Sequence, residues 1–98
     1  MQVSITGRHV TVTDNIKTHI NEKLERSIGV FPRVEAIHVI LDEEKHNKVS
    51  EIVVQAADHI RLTATDKSEN LYDAIDRSIE HVERQLRKLR DKVLNHHK

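Results

Sequence analysis

Cysteine is absent from the 98-residue chain, and glycine, proline and aromatic residues are scarce. Without cysteine there are no disulfides and no thiolate to act as nucleophile or metal ligand, and a reducing cytoplasm is compatible with that composition. Two glycines are too few for a Gly-rich phosphate loop. The only aromatics are Phe31 and Tyr72, both expected in or near the core, so there is no stacking platform for single-stranded nucleic acid. No apolar run approaches the roughly 18 residues of a membrane span, and the N-terminus has no signal-peptide core. A soluble cytoplasmic protein is expected. An excess of charge is missing too: sixteen Lys and Arg balance sixteen Asp and Glu, which argues against a general nucleic-acid coat protein.

What is present is unevenly placed. Residues 77–98 hold seven Lys/Arg against three Asp/Glu, so this end carries +4 and residues 1–76 carry −4. Such asymmetry marks a charged working surface. Hydrophobic content of 37% suffices for one domain; a chain of this size buries roughly two thirds of the surface it exposes when unfolded.

The organising stretch is Asn70–Leu94. Leu71, Ile75, Ile79, Val82, Leu86, Leu89 and Val93 recur at steps of four and three, the spacing of a helix with one buried stripe. At about 100° per residue, Arg77, His81, Arg84, Lys88 and Lys92 share one flank. Asp73, Asp76, Glu80 and Glu83 share the other, joined by Arg87 and Arg90. Helix-spaced pairs Asp73–Arg77, Glu80–Arg84 and Glu83–Arg87 are the ordinary use of such carboxylates.

In chain order, Gln2–Thr6 alternates as a half-buried strand ended by Gly7, and Val10 and Val12 continue an extended link. Thr13-Asp14 opens a helix carrying Ile16, Ile20, Leu24 and Ile28, with Gly29 just beyond its end and Pro32 confirming the break. Lys23 and Arg26 lie beside that stripe, with His19 close by. Glu35–Leu41 is a second strand, and the charged run 42–48 is expected to be a loop. Val49–Ala57 and His59–Thr65 form a third and fourth strand around an Asp58-His59 turn. Ser68 or Asp66 is expected to cap the final helix.

The order β-α-β-β-β-α gives an α+β domain with a four-stranded sheet. Its first two strands are parallel through a helical crossover and the remainder form a meander. Both helices must cover one face, because the inward strand residues need a single apolar lid. The other face, with Gln2, Ser4, Thr6, His38, Gln55, Arg61, Thr63 and Thr65, is solvated.

Catalysis finds no support. Ser4, Ser27, Ser50, Ser68 and Ser78 lie in no nucleophile elbow, and the helical carboxylates have charge partners. Eight histidines lack the convergent spacing of a zinc site. His96 and His97 are candidates for opportunistic metal binding only, and no cofactor is expected. Acidification would charge the histidines and tighten binding to a polyanion. The basic flank is the better candidate: its row runs for about four helical turns without an acidic residue, and Lys23 and Arg26 can lie beside it if the helices pack together. Arginine's forked donors suit phosphate oxygens, so contact through phosphates and the shape of folded RNA is expected, with little base reading.

The opening Gln2-Val3-Ser4-Ile5-Thr6-Gly7, the segment Thr13–Leu24, and above all Asn70-Leu71-Tyr72-Asp73-Ala74-Ile75-Asp76 followed by Glu83-Arg84-Gln85-Leu86 resemble the bacterial ribosome hibernation factors. The family includes the ribosome-associated inhibitor and the sigma-54 modulation proteins. The chain ends at Lys98 without an acidic tail or a further dimerisation domain, so it looks most like the short hibernation-promoting form. The resemblance implies a fold similar to double-stranded-RNA-binding domains, a ribosome-binding domain over residues 1–94 and a flexible tail over 95–98. It implies binding in the decoding channel of the small ribosomal subunit, blocking mRNA and tRNA in stationary phase. It also implies pairing of ribosomes into inactive dimers together with ribosome modulation factor. By position it assigns Lys23, Arg26, Arg84, Arg87, Lys88 and Lys92 to rRNA; Arg77 joins them from the charge pattern. Neither a membrane nor a small-molecule substrate is implied. The alternative is a protein-interaction adaptor using the mixed-charge helix, which RNase-insensitive capture of a polypeptide would distinguish.

Overall fold

The computed structural model describes the backbone of residues 1–96 and the side chains of residues 1–92. The elements are β1 (Gln2–Gly7), α1 (Asp14–Ser27), β2 (Val34–Glu44), β3 (Asn47–Ala56), β4 (Ile60–Ser68) and α2 (Leu71–His96). The sheet order is β1-β2-β3-β4. β1 pairs parallel with β2, and the other two pairings are antiparallel. This is the expected β-α-β-β-β-α architecture.

One core joins the layers. Ile16, Ile20, Leu24 and Ile28 from the first helical segment meet Ile37, Val39, Leu41, Ile52 and Val54 from the sheet and Ile75, Ile79, Val82 and Leu86 from α2. Both helices therefore cover the same sheet face. Among the described residues, no helix is long and apolar enough to cross a membrane.

Thr13 caps α1 as expected: its backbone is extended, and its Oγ1 accepts from the Ile16 amide at 3.2 Å. The cap of α2 differs from expectation. Asn70 Oδ1 accepts from the Tyr72 and Asp73 amides at 2.9 and 3.4 Å. Ser68 and Asp66 are still in β4. Asn70 stands directly before the first turn, where its side-chain oxygen reaches the free amides, whereas Asp66 and Ser68 are held in the strand. α2 continues through Asn95 and His96, so the tail expected from residue 95 overlaps its last turn; residues 97–98 lie outside the described residues.

The charged run 42–48 is not a loop. β2 and β3 continue through it in register, Asp42 opposite Val49 and Glu44 opposite Asn47, leaving only Lys45-His46 as the turn. Here the hairpin extends beyond the helical cover, so charge on either face meets water and cross-strand pairs form instead. Lys48 Nζ reaches Glu43 at 2.7 Å and Lys67 Nζ reaches Glu44 at 2.6 Å. The β3–β4 turn is Ala57-Asp58-His59, with φ of 65° and 61° at Asp58 and His59. Arg33 donates to Asp58 Oδ2 at 2.8 Å and fixes this turn against the segment after α1.

Among the described residues, the core holds one pair of buried polar side chains. Ser50 of β3 and Ser78 of α2 are both fully buried, with their hydroxyl oxygens 2.9 Å apart. Ser78 donates to the Ile75 carbonyl at 2.9 Å, so both hydroxyls are satisfied.

Candidate nucleic-acid interface

The interface begins with how α2 is rotated on the sheet. Ala74, Ile75, Ser78, Ile79, Val82 and Leu86 are buried beneath it. One flank faces β4: His81 Nδ1 lies 2.5 Å from Asp66 Oδ2, Gln85 Nε2 donates to the Thr63 carbonyl at 3.1 Å, and Arg77 donates to the Lys67 carbonyl at 3.5 Å. β4 is an edge strand, and Gln85 and Arg77 occupy carbonyls that would otherwise stand open to another chain.

The opposite flank faces α1. His19 Nε2 lies 2.7 Å from Asp76 Oδ1, and the His19 and Tyr72 rings meet edge to face at 4.9 Å. Further along, the Arg90 guanidinium lies 5.3 Å from the centre of the Phe31 ring, next to the end of α1. Tyr72 is exposed rather than part of the core; Phe31 is buried.

This rotation decides where each predicted residue goes. Arg77, Arg84, Lys88 and Lys92 are exposed along the outer and β4-facing side of α2. Lys23 and Arg26 are not beside that row. The connections make the two helices run in the same direction, and His19 meets Asp76 at a sequence offset of 57. The same offset brings Lys23 level with Glu80 and Arg26 level with Glu83. Lys23, Asp76, Glu80 and Glu83 are all half-buried, as residues lining the groove between helices should be. The expectation of one combined cationic strip is therefore corrected: the acidic flank of α2 lies between the two basic sets. A ligand touching both must straddle the outer crest of α2, over Arg84 and Arg87.

The pairing pattern explains how a neutral chain keeps an open cationic edge. Among the described residues, Arg33, Lys48, Lys67, Arg87 and Arg90 have a carboxylate within 4.0 Å. Of the helix-spaced pairs expected on α2, only Arg87 with Glu83 forms, at 3.1 Å. Arg77 turns to the Lys67 carbonyl, and Arg84 Nε donates to the Glu80 carbonyl at 3.4 Å. Lys23, Arg26, Arg77, Arg84, Lys88 and Lys92 make no ion pair among the described residues. Asp76 is engaged by His19 of α1, Glu83 by Arg87 and Asp91 by Arg90, so none of these carboxylates compensates the outer row.

Sequence periodicity missed the His81–Asp66 contact, the two cappings of β4 and the Ser50–Ser78 pair. The signal was present for the first: Asp66 falls on the helix-facing side of β4, and His81 falls on the flank of α2 turned toward it. One further exposed contact shapes the loop after β1. His9, at φ 59°, lies 3.0 Å from Asp42 Oδ1. The hydrogen bond from His9 and a second from the Glu43 amide hold the Asp42 carboxyl below its usual range. Among the described residues, no cluster of His, Asp or Glu is arranged to hold a metal ion. The candidates His96 and His97 have side chains outside the described residues.

Comparison with known proteins places this geometry in a family. A ribosome hibernation promoting factor from Pseudomonas putida KT2440 is 34% identical over 92 residues, covering 94% of this chain and 89% of the relative. Its namesake from Escherichia coli K12 is 29% identical over 99 residues, covering 98% of this chain and all of the relative. A ribosomal subunit interface protein from Coxiella burnetii superposes with a TM-score of 0.87 over 93% of this chain and 99% of that one, at 23% identity, and so shares the fold. The Thermus thermophilus Protein Y N-terminal domain gives 0.81 over 91% and 99%, at 25% identity. Residues 3–94 match the family described as Sigma 54 modulation protein / S30EA ribosomal protein, and the chain belongs to that family.

Proposed function

We propose that this protein is a ribosome hibernation factor acting in the cytoplasm by occupancy rather than by turnover. It binds the decoding channel of the small ribosomal subunit through rRNA phosphates, excludes mRNA and tRNA by filling their space, and halts translation in stationary phase. With ribosome modulation factor as functional partner it promotes inactive ribosome dimers. The carrying observation is the row Arg77, Arg84, Lys88 and Lys92, exposed and without ion pairs among the described residues, in a chain of no net charge whose full-length relatives are named hibernation factors.

Within this assignment the cations are unequal. Arg77 and Arg84 each spend one guanidinium donor on a backbone carbonyl and keep the others, and none of the four has an ion pair among the described residues, so they contact phosphates without first breaking one. Arg87 must leave Glu83 or share its guanidinium. Lys23 and Arg26 form a second contact set across the acidic flank, serving a ligand wide enough to straddle α2. A preformed cationic helix makes affinity sequence-tolerant and salt-dependent, with a slope of about −3 to −4 for log affinity against log salt if all four engage.

Co-sedimentation with purified small ribosomal subunits tests this. The double variant Arg84→Glu, Lys88→Glu should no longer co-sediment at moderate salt while its far-ultraviolet circular dichroism stays that of the native chain. Both side chains are exposed, so the fold has no stake in them. Wild-type-like binding by the double variant would remove the row from the mechanism, and RNase-insensitive capture of a polypeptide partner would replace it with an adaptor role.

A further inference from the structure

We propose that His81, oriented by Asp66, is an acid-gated phosphate contact in the middle of the α2 basic row; this rests on the ribosome-binding assignment above. Three observations meet at this position. His81 follows Arg77 by one helical turn and precedes Arg84 and Lys88, so it shares their outward surface. Its side chain is 45% exposed, whereas that of Asp66 is 15% exposed, so the imidazole is open to a ligand and its partner is not. Its Nδ1 lies 2.5 Å from Asp66 Oδ2, and Nε2 has no partner among the described residues.

The chemistry follows from the tautomer. A carboxylate can only accept, so Asp66 keeps the proton of neutral His81 on Nδ1. Nε2 then carries a bare lone pair, which repels a phosphate oxygen. When the ring takes up a proton, the same atom becomes an N–H donor and the His81–Asp66 unit loses its net negative charge. One protonation therefore adds a donor and removes an anion at the centre of the row. Imidazoles ordinarily make this change between about pH 5 and 8.

Among the described residues, no second histidine stands beside this position to take over the role. On α2 the neighbours are Arg77, Arg84, Gln85 and Lys88. From β4 they are Asp66 and Lys67, the latter paired with Glu44. On β3, Ser50 and Val49 stand opposite Asp66 and Lys67 in register, and Lys48 is paired with Glu43. The other His–carboxylate contacts, His9 with Asp42 and His19 with Asp76, lie off the row. The test therefore isolates His81 from them.

Affinity for purified small ribosomal subunits is measured at about pH 8 and about pH 6 at constant ionic strength, for wild type, His81→Gln, His81→Lys and Asp66→Asn. Circular dichroism checks the fold of each at both pH values. The wild type should gain at least about threefold more affinity on acidification than His81→Gln, and its salt slope at the lower pH should be steeper by close to one. His81→Lys, charged throughout, should bind more tightly than wild type at the higher pH and gain no more on acidification than His81→Gln does. Asp66→Asn should reduce the gain toward that of His81→Gln. A full wild-type gain in His81→Gln overturns the proposal, since other histidines then carry it. A full gain in Asp66→Asn overturns the orienting role. Failure of wild type to bind subunits at either pH refutes the ribosome-binding assignment itself, and this proposal with it.

Discussion

Replacing Ser78 by alanine should destabilise the protein more than replacing Ser50, although both side chains are fully buried and touch each other. The Ser78 proton is engaged by the Ile75 carbonyl, so at the 2.9 Å contact Ser50 is the donor and Ser78 Oγ the acceptor. Ser78→Ala strands the Ser50 hydroxyl in the core with no acceptor, a loss of about 1–3 kcal/mol. Alanine's better helix propensity returns about 0.5 kcal/mol, leaving a net loss of about 0.5–2.5 kcal/mol. Ser50→Ala removes only the donor; Ser78 keeps its bond to Ile75, and the loss is about 0.5–1 kcal/mol. In the double variant no hydroxyl remains unpaired, and stability should return close to the native value. The expected coupling is therefore about 1–3.5 kcal/mol, well outside the additivity of independent sites. Urea denaturation with equal m-values measures it, and for a domain of this size each kcal/mol moves Tm by about 4–8 °C. Strictly additive losses, or Ser50→Ala as the weaker protein, would refute the assigned direction of the bond.

Other outcomes follow from single contacts. Gly7→Ala places a Cβ 2.3 Å from the Val10 carbonyl oxygen and 2.8 Å from a Val12 methyl; the forced shift should lower stability by about 1–3 kcal/mol in chemical denaturation. Asn70→Ala deprives the first turn of α2 of its acceptor and should cost about 1 kcal/mol, read as a lower Tm. Asp42 has a depressed pKa in the folded state, so its contribution to stability is present above its ordinary value near 3.8 and is lost as pH falls through the folded value. His9→Ala should raise the Asp42 midpoint toward the ordinary value in a carboxyl NMR titration, because the larger of its two hydrogen bonds is gone; an unmoved midpoint would assign the shift to the Glu43 amide instead.

The element order, the parallel first pair, the antiparallel remainder and the common helical face were legible because each rests on local periodicity. A period near two or near 3.6 tells which residues share a face, and four strands with two amphipathic helices have one economical way to hide them. The hairpin over residues 42–48 was not legible. Charge reads as loop wherever a core is assumed, yet that ladder extends past the helices into water, where charged residues pair across strands. The α2 cap was misplaced by a few residues because Asp66, Ser68 and Asn70 all have capping side chains, and only the end of β4 selects among them.

The candidate interface divides in the same way. Which cations share a flank of α2 follows from their spacing, since helical geometry fixes that within one element. Which flank meets α1 and which overhangs β4 is settled only on assembly, because rotation of a helix on a sheet is set by packing on both of its sides. That rotation buries Asp76, Glu80 and Glu83 partway against α1, separates Lys23 and Arg26 from the outer row, and brings Asp66 to His81. A linear chain records charges and their spacing; the charges of neighbouring elements that compensate them, or leave them free for a ligand, are chosen only when the layers close.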